Sequence, residues 1–253
     1  MLVKGFFFDL FGTLLIPKNS KKAWNNWFKT FYKLMRSYGL NLSKKKFANA
    51  SKDFFINRET ENNNSKLTAY ENKIDKFALD LNLKLEVEKI KKIQQATINA
   101  WQKYLKIDPQ TIPLLEILKN KKHLALITNF DHPPHVYSIL SKYKLTEYFE
   151  FIAISGEIGF EKPDPRIFHI TLKNIGLKPD EVIFIGDSNE DVNGAISAGI
   201  KPILIQQKIS KQSLTKNDYY SKNGSENLNT HNSYISPWKI ISNLRELYEI
   251  FDL

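Results

Sequence analysis

The amino-acid sequence predicts an α/β fold, in which a doubly wound parallel sheet is accompanied by a small all-α helical bundle. Two observations lead to this prediction. Short, almost continuously apolar runs alternate with amphipathic helical patterns over most of the chain, which is typical of parallel sheets covered by helices on both faces. A separate segment closer to the amino terminus carries aromatic residues at helical spacing instead.

The predicted strands are short apolar runs that end in Asp, Thr, Ser or Gly or are followed by polar residues. They cover residues 2–10, 123–128, 151–155, 182–186 and 202–205. Helical patterns lie between the later runs, at 112–120, 135–142, 166–175 and 191–198, and apolar residues from Ile240 to Phe251 predict a final amphipathic helix. Sheets of this kind bind ligands at the carboxyl ends of their strands, so polar residues there are candidate site residues.

The helical segment is predicted to hold four helices with an aromatic core. The longest aromatic stripe comprises Trp24, Trp27, Phe28, Phe31, Leu34, Met35 and Tyr38, and Ser43 is the expected N-cap of the second helix. We therefore divide the chain into a core domain, residues 1–16 and 107–253, and a helical domain, residues 17–106. Residues 207–236 are rich in Lys, Ser and Asn and predict a long polar loop within the core domain.

Composition excludes several classes of protein. The 253 residues are 42% hydrophobic, enough for a sizeable core. The chain has no Cys, which excludes disulfides, thiolate metal sites and cysteine nucleophiles. No apolar run approaches the roughly 18 residues that a membrane span needs, and Lys4 and Asp9 interrupt the first run where a signal peptide would need an apolar stretch. We expect a cytoplasmic protein without a membrane partner.

The net charge of +10 is concentrated in the helical segment. Residues 17–108 carry 20 Lys and Arg against 9 Asp and Glu, whereas the rest of the chain has a net charge of −1. This excess is either a solvated lysine surface or a field that attracts an anionic substrate. Only 4 of the 37 basic residues are Arg, the usual reader of DNA bases, which argues against a nucleic-acid partner. The sequence carries no signal for an oligomeric state.

Four polar motifs follow the predicted strands. Asp9 ends the first strand and precedes a Gly-Thr turn, Thr128 and Asn129 follow the second, and Lys162 lies in a Lys-Pro-Asp-Pro sequence after the third. The fourth motif places Asp187 after a strand and Asp191 four residues later, a spacing at which two carboxylates can hold Mg²⁺. A carboxylate can also serve as a nucleophile that forms a covalent intermediate.

Taken together, the four motifs resemble the haloacid dehalogenase superfamily of hydrolases. The resemblance covers residues 1–16 and about 107–253 and implies a helical cap inserted after the first motif, which would close over a small anionic substrate. It implies that Asp9 is the nucleophile, that Thr128, Asn129 and Lys162 bind the transferred group, and that Thr128 and Lys162 also assist the chemistry. It further implies a Mg²⁺ site made by Asp9, the backbone carbonyl of Phe11, Asp187 and Asp191.

Phe11 departs from the pattern of the family's phosphatases, which usually carry a second Asp two residues after the nucleophile. That Asp protonates the leaving group and later activates water, and Phe11 can do neither; such help is worth about 10²–10⁴-fold in rate. The dehalogenase branch has an aromatic residue at this position, but it uses no metal. The acidic fourth motif therefore favours the phosphatase interpretation.

The leading hypothesis is a Mg²⁺-dependent phosphatase that acts on a small organic phosphate through an aspartyl-phosphate intermediate. Two alternatives remain open, a metal-independent 2-haloacid dehalogenase and a catalytically weakened binding protein that keeps the fold. One further pattern, His132 and His135 on either side of two prolines, predicts a turn on the protein surface.

Overall fold

The computed structural model describes residues 2–55, 66–206 and 236–253, so the predicted polar loop lies outside the described residues up to position 235. The chain divides into two compact units. One consists of Met1–Pro17 together with Lys106–Leu253, and the other is Lys18–Leu105. Among the described residues, no helix combines the length and apolarity needed to cross a bilayer.

Six parallel strands form the sheet of the first unit, and two short strands pair separately. The strands are β1 (Gly5–Phe8), β2 (Leu15–Pro17), β3 (Leu105–Ile107), β4 (His123–Thr128), β5 (Phe151–Ile154), β6 (Val182–Gly186), β7 (Lys201–Ile205) and β8 (Lys239–Ile241). The sheet order is β5-β4-β1-β6-β7-β8, and β2 pairs with β3. In register, Phe8 lies between Leu126 and Ile185. The central strands are apolar along their whole length because both faces of the sheet are covered.

The helical unit holds four α-helices and one short 3₁₀ turn. The helices are α1 (Ser20–Ser37), α2 (Lys44–Ala50), α3 (Ala69–Asp80) and α4 (Val87–Gln102), and the 3₁₀ turn is Ser51–Asp53. The predicted aromatic stripe forms the core of this unit: Trp27 and Phe31 are buried, and the ring of Phe31 lies 5.3 Å from that of Phe47. Ser43 caps α2 by accepting a hydrogen bond from the backbone N–H of Lys46.

A chain of buried hydrogen bonds links three helices or their flanks within the helical unit. The indole N–H of Trp27 donates to the hydroxyl of Tyr70 at 2.8 Å, and that hydroxyl lies 2.8 Å from the hydroxyl of Thr97. The Thr97 hydroxyl is also within bonding distance of the Ile93 carbonyl. Because each polar atom of this hydrogen-bonded network has a partner, burial of the network in the aromatic core costs little free energy.

Helices and short turns flank the strands of the first unit. They are α5 (Thr111–Leu118), α6 (Pro133–Lys142), α7 (Ser155–Ile158), α8 (Pro165–Ile175), α9 (Asn189–Ser197) and α10 (Glu246–Phe251), with 3₁₀ turns at Thr146–Tyr148 and Pro179–Glu181. Gly194 lets α9 approach closely, since a Cβ there would lie 2.6 Å from the ring of Phe168. Gly194 therefore allows the close packing of α9 against α8.

Two details of the predicted secondary structure are wrong. Ile240 and Ile241 belong to β8, which pairs with β7, and the last helix begins only at Glu246. Ile240 is exposed and Ile241 buried, the alternation of an edge strand, which a short apolar run does not distinguish from a helix. The sequence pattern also predicts that Leu105 is the last apolar residue of the fourth helix of the bundle, but this residue belongs to β3. Near these short strands the backbone N–H of Lys18 donates to the carbonyl of Tyr104 at 2.7 Å, so the first and last residues of the helical unit lie side by side.

Candidate active site

Asp9 lies at the carboxyl end of the central strand β1, beside the ends of β4 and β6. Its backbone N–H donates to the carbonyl of Ile185 at 2.8 Å, which continues the pairing of β1 with β6 by one residue. The side chain is 5% exposed. Its Oδ1 accepts a hydrogen bond from Lys162, whereas its Oδ2 is buried and has no hydrogen-bond partner among the described residues. One carboxylate oxygen is thus anchored and the other is left for a ligand.

Lys162 is a buried cation whose ammonium group faces three oxygen atoms. Its Nζ lies 2.6 Å from Oδ1 of Asp9, 2.6 Å from Oδ1 of Asp191 and 3.0 Å from the carbonyl of Ile127. The contacts with Asp9 and Ile127 are hydrogen bonds, and the contact with Asp191 is an ion pair. Burial opposes the charge on Lys162, but Asp191 and Asp9 outweigh burial and raise its pKa. The side chain is therefore a fixed positive charge against the Asp9 carboxylate.

Asp191 is held in place by the loop that precedes it. Its Oδ2 accepts hydrogen bonds from the backbone N–H groups of Asp187 and Ser188 and from the Ser188 hydroxyl, and Ser188 in turn caps α9. This capping box folds the carboxylate back over the strand end. Gly186 makes room for it, since a Cβ at Gly186 would lie 2.4 Å from the carboxyl carbon of Asp191.

Asp187 completes a group of three carboxylates. One ligand oxygen from each of Asp9, Asp187 and Asp191 lies within 4.8 Å of the other two, and Asp187 is the member that reaches solvent. Gly12 has a φ of +107°, and a Cβ there would lie 2.0 Å from Oδ2 of Asp187. Glycine at this position therefore allows both the turn and the close approach of the carboxylate.

The pKa values report the crowding of negative charge. Burial raises the pKa of Asp9 to about 6, with Lys162 opposing the shift and Asp191 adding to it. Burial and repulsion by Asp9 and Asp191 raise the pKa of Asp187 well above its usual range. Since the Asp187 side chain reaches solvent, we regard the repulsion as the more important cause. Three carboxylates face one ammonium group, so the site lacks positive charge.

The donor set fits a hard divalent cation such as Mg²⁺. Carboxylate oxygens are the ligands that Mg²⁺ prefers, and the unpartnered Oδ2 of Asp9 is an acceptor that a cation would satisfy. An added positive charge would also favour the ionised forms of Asp9 and Asp187, which the protein alone disfavours. The arrangement can thus bind a metal and present a carboxylate nucleophile next to a fixed cation.

Thr128 and Asn129 follow β4 but differ in what their side chains do. Thr128 is fully buried, and its hydroxyl has no hydrogen-bond partner; it does not cap α6, whose N-cap is His132. The Asn129 amide donates to the carbonyl of Lys162 at 2.9 Å and accepts from its backbone N–H at 2.8 Å. Asn129, expected to bind substrate, has its amide engaged in positioning Lys162. Thr13, which the sequence analysis gave no role, is a second buried hydroxyl without a partner.

The predicted surface turn at the histidine pair is wrong. His132 and His135 are 9% and 8% exposed, and His135 lies in the first turn of α6. Burial and the neighbouring His132 lower the pKa of His135 to about 4, so its ring is neutral at pH 7. The His135 ring packs 5.2 Å from the ring of Phe130, which in turn lies 5.0 Å from that of Phe11. Proline is common at the first position of a helix, and Pro133 and Pro134 begin α6 here. The sequence therefore contained a signal for this helix.

Comparison with known proteins identifies the family. A profile of the haloacid dehalogenase-like hydrolases matches residues 3–199. The chain belongs to this family of hydrolases. Among curated relatives, it is 31% identical over 117 residues to a glyceraldehyde 3-phosphate phosphatase of Methanothermobacter thermautotrophicus, and 36% identical over 95 residues to a phosphoserine phosphatase of Thermus thermophilus. These alignments span 50% and 38% of the relatives and 46% and 37% of this chain.

Solved structures of haloacid dehalogenase-like proteins share the fold. A HAD phosphatase from Thermococcus onnurineus superimposes with a TM-score of 0.63 at 23% identity, with 98% of this chain and 97% of the other covered. A 2-haloacid dehalogenase from Pseudomonas syringae superimposes with a TM-score of 0.64 at 19% identity and 99% coverage of both chains. The fold is therefore common to proteins named for both chemistries, and the choice between them rests on the site.

Proposed function

We propose that this hydrolase is a Mg²⁺-dependent phosphatase of a small organic phosphate, and that the reaction proceeds through an aspartyl-phosphate at Asp9. The observation that carries the proposal is the group of three carboxylates at the end of the sheet, in which Oδ2 of Asp9 has no hydrogen-bond partner among the described residues. A metal-independent reaction has no evident use for Asp187, the carboxylate of the group that reaches solvent. The phosphatase names of the curated relatives point to the same chemistry.

Asp9 is the proposed nucleophile. One oxygen of its carboxylate attacks phosphorus and forms a P–O bond, and the bond from phosphorus to the leaving oxygen breaks, so that oxygen departs with the electron pair. Water then attacks the aspartyl-phosphate, which releases phosphate and restores the carboxylate. Lys162 keeps Asp9 oriented and compensates negative charge throughout, and the buried Thr128 hydroxyl is free to donate to a phosphate oxygen.

The proposed Mg²⁺ ligands are Asp9, the backbone carbonyl of Phe11, Asp187 and Asp191. Bound there, the ion would neutralise charge between the carboxylates and the phosphate and help to orient the phosphorus atom for attack. The helical unit is the proposed cap, and its positive charge fits a small anionic substrate. The cytoplasm is the proposed compartment.

The test is hydrolysis of p-nitrophenyl phosphate with Mg²⁺, with a chelator in place of Mg²⁺, and with Asp9→Asn. The matched control is Asp180→Asn, which changes an exposed carboxylate in a 3₁₀ turn of the same unit. We expect turnover that requires the metal, that falls to the blank in Asp9→Asn and that persists in Asp180→Asn. Full turnover in Asp9→Asn would show that the assignment of the nucleophile is wrong.

Dehalogenation of a 2-haloacid is the second candidate, favoured by one observation. Phe11, two residues after Asp9, provides an aromatic ring and no acid, and a halide needs no proton to depart. Chloride release from 2-chloropropionate that continues in chelator and stops in Asp9→Asn would support this reaction. Chloride release that needs Mg²⁺, or none at all, would argue against it.

A further inference from the structure

The segment that carries Lys162 is closed by side chains that lie on either side of it in the sequence. Phe160 precedes Lys162 by two residues, and Asp164 and Arg166 follow it by two and by four. The guanidinium carbon of Arg166 lies 3.8 Å from the centroid of the Phe160 ring. Its Nε lies 2.9 Å from each carboxylate oxygen of Asp164, and its Nη2 donates to Oδ2 of the same group. We call Phe160, Asp164 and Arg166 the arginine clasp.

Both ends of the arginine clasp are anchored in the first unit. The Phe160 side chain packs against a buried apolar cluster of that unit. Asp164 is the N-cap of α8, where its side chain accepts a hydrogen bond from the backbone N–H of Arg166. The backbone N–H of Asp164 also donates to the carbonyl of Glu161 at 2.8 Å. Arg166 therefore joins a ring fixed on the core to a carboxylate fixed at the start of a helix.

The arginine clasp is specific in its geometry. Hydrogen bonds from Arg166 lower the pKa of the Asp164 carboxyl group to about 2, so the pair stays ionised at neutral and mildly acidic pH. The Arg166 side chain is 61% exposed, and because solvent screens an exposed ion pair, the clasp adds little to the stability of the whole unit. A guanidinium group that stacks on a ring and forms a fork with a carboxylate has a defined orientation. The clasp therefore fixes the path of the segment between Phe160 and Arg166.

Two other contacts hold the same segment independently of the arginine clasp. The Asn129 side chain bonds both the backbone N–H and the backbone carbonyl of Lys162. Helix α9 lies close to Pro163, since a Cβ at Gly194 would lie 3.1 Å from the Pro163 Cα. Three separate supports thus surround one residue, Lys162, whose ammonium group is buried and directed at the candidate nucleophile.

We propose that Arg166 is a positioning residue, which acts through the arginine clasp to keep the Lys162 ammonium group against the Asp9 carboxylate. This proposal rests on the proposed phosphatase function, in which Lys162 compensates the charge at Asp9. Such compensation depends steeply on geometry, because a displacement of about 1 Å can cost about 10²-fold in rate. The Arg166 side chain contacts Phe160 and Asp164, so it acts on the reaction through the segment between them.

Hydrogen exchange measures the effect of the arginine clasp directly and needs no turnover. The backbone N–H of Lys162 donates to Oδ1 of Asn129 at 2.8 Å, so it exchanges only when this segment opens. In Arg166→Gln, which removes the charge and the fork, we expect this amide to exchange about 3- to 30-fold faster, the usual combined effect of one exposed ion pair and one cation–π contact. The amides of β6 are the internal reference and should change less than about 2-fold, since only unfolding of the whole unit would accelerate both.

Turnover of p-nitrophenyl phosphate with Mg²⁺ shows whether the position of the segment matters for the reaction. In Arg166→Gln we expect kcat to fall at least about 3-fold and KM to change less than about 2-fold, because the interaction that is lost acts in the transition state. Arg166→Lys keeps the charge but not the planar fork, so we expect kcat to fall in this variant too. The matched control is Arg245→Gln, which removes another exposed arginine of the same unit and should keep both kinetic constants.

The outcomes separate this proposal from the proposed function. An unchanged exchange rate of the Lys162 amide in Arg166→Gln, or faster exchange with an unaltered kcat, would overturn the positioning role and leave the phosphatase function standing. Full kcat in Arg166→Lys would also overturn it, because charge and not the geometry of the arginine clasp would then be sufficient. If the unaltered protein did not hydrolyse p-nitrophenyl phosphate with Mg²⁺, the proposed function would be overturned together with the role of Arg166 in it.

Discussion

Replacing Lys162 with Met removes the ammonium group next to the three carboxylates and keeps a side chain of similar length. Two contacts at 2.6 Å are lost, to Asp9 and Asp191. Each corresponds to an attraction of about 6 kcal/mol at an effective dielectric constant of about 20. The variant does not bury an ammonium group, and the absence of this desolvation cost offsets part of the lost attraction by several kcal/mol. We therefore expect a net loss of about 3–5 kcal/mol in the free energy of unfolding at pH 7.5 without metal.

The loss should depend on pH with a definite sign. The pKa of Asp9 is raised to about 6 even with Lys162 present, and removal of Lys162 raises it further. A carboxyl group whose pKa is raised by folding stabilises the protein at low pH, and this stabilisation disappears as the pH rises through the folded value. At pH 5 the crowded carboxyl groups take up protons, so the loss caused by Lys162→Met should be less than half of that at pH 7.5.

The assay is urea unfolding in chelator at the two pH values, with Lys173→Met as the control. Lys173 is an exposed residue of α8, and its replacement should change the free energy of unfolding by no more than about 0.5 kcal/mol. A loss below about 1 kcal/mol for Lys162→Met at pH 7.5, or an equal loss at both pH values, would refute the electrostatic account of this site.

Three further perturbations follow from the structure. Between pH 4 and pH 7, the metal-free protein should lose about 2.4 kcal/mol of stability through the raised pKa of Asp9, and urea unfolding should show a flatter pH dependence in Asp9→Asn. Gly12→Ala should lower the free energy of unfolding by about 2 kcal/mol or more, because the added Cβ clashes with a carboxylate and the φ is positive. Gly159→Ala has a φ of +82° but open space around it, so it should lower the free energy of unfolding by only about 1 kcal/mol. Thermal unfolding of the two variants tests this difference. Tyr70→Phe should cost about 1–3 kcal/mol, since it leaves the buried indole N–H of Trp27 without its acceptor and removes one hydrogen bond of the Thr97 hydroxyl, which keeps its bond to the Ile93 carbonyl. Equal stability of Tyr70→Phe and the unaltered protein in urea would contradict this.

Sequence reasoning predicts best those parts of the fold in which a single physical cause determines the residue pattern. The strands that contain Phe7, Ile127 and Phe184 are apolar throughout because both faces are buried, and that pattern can be read directly. Each polar residue that follows such a strand lies at the same edge of a parallel sheet. The proximity of Asp9, Asp187 and Asp191 therefore follows from topology once the strands are recognised.

The features that sequence reasoning misses depend on contacts between distant residues. Whether Ile240 and Ile241 form a helix or a strand is decided by β7, which lies 34 or more residues earlier in the chain. The sequence does not show that the amide of Asn129, which is predicted to bind substrate, also bonds the backbone of Lys162, 33 residues away. His135 is buried because aromatic residues of two other segments meet it, and its own surroundings in the sequence are polar and rich in proline.

The hydrogen bond between Lys18 and Tyr104 has a consequence for how such a protein can change. Because the inserted segment starts and finishes at neighbouring points, its length and content can vary while the ends of the surrounding chain stay where they are. The three carboxylates and Lys162 are all encoded before or after the insertion. The residues of the site and the inserted helices are therefore encoded by separate stretches of the gene and can change independently. The insertion point is a position at which the fold can accept additional segments.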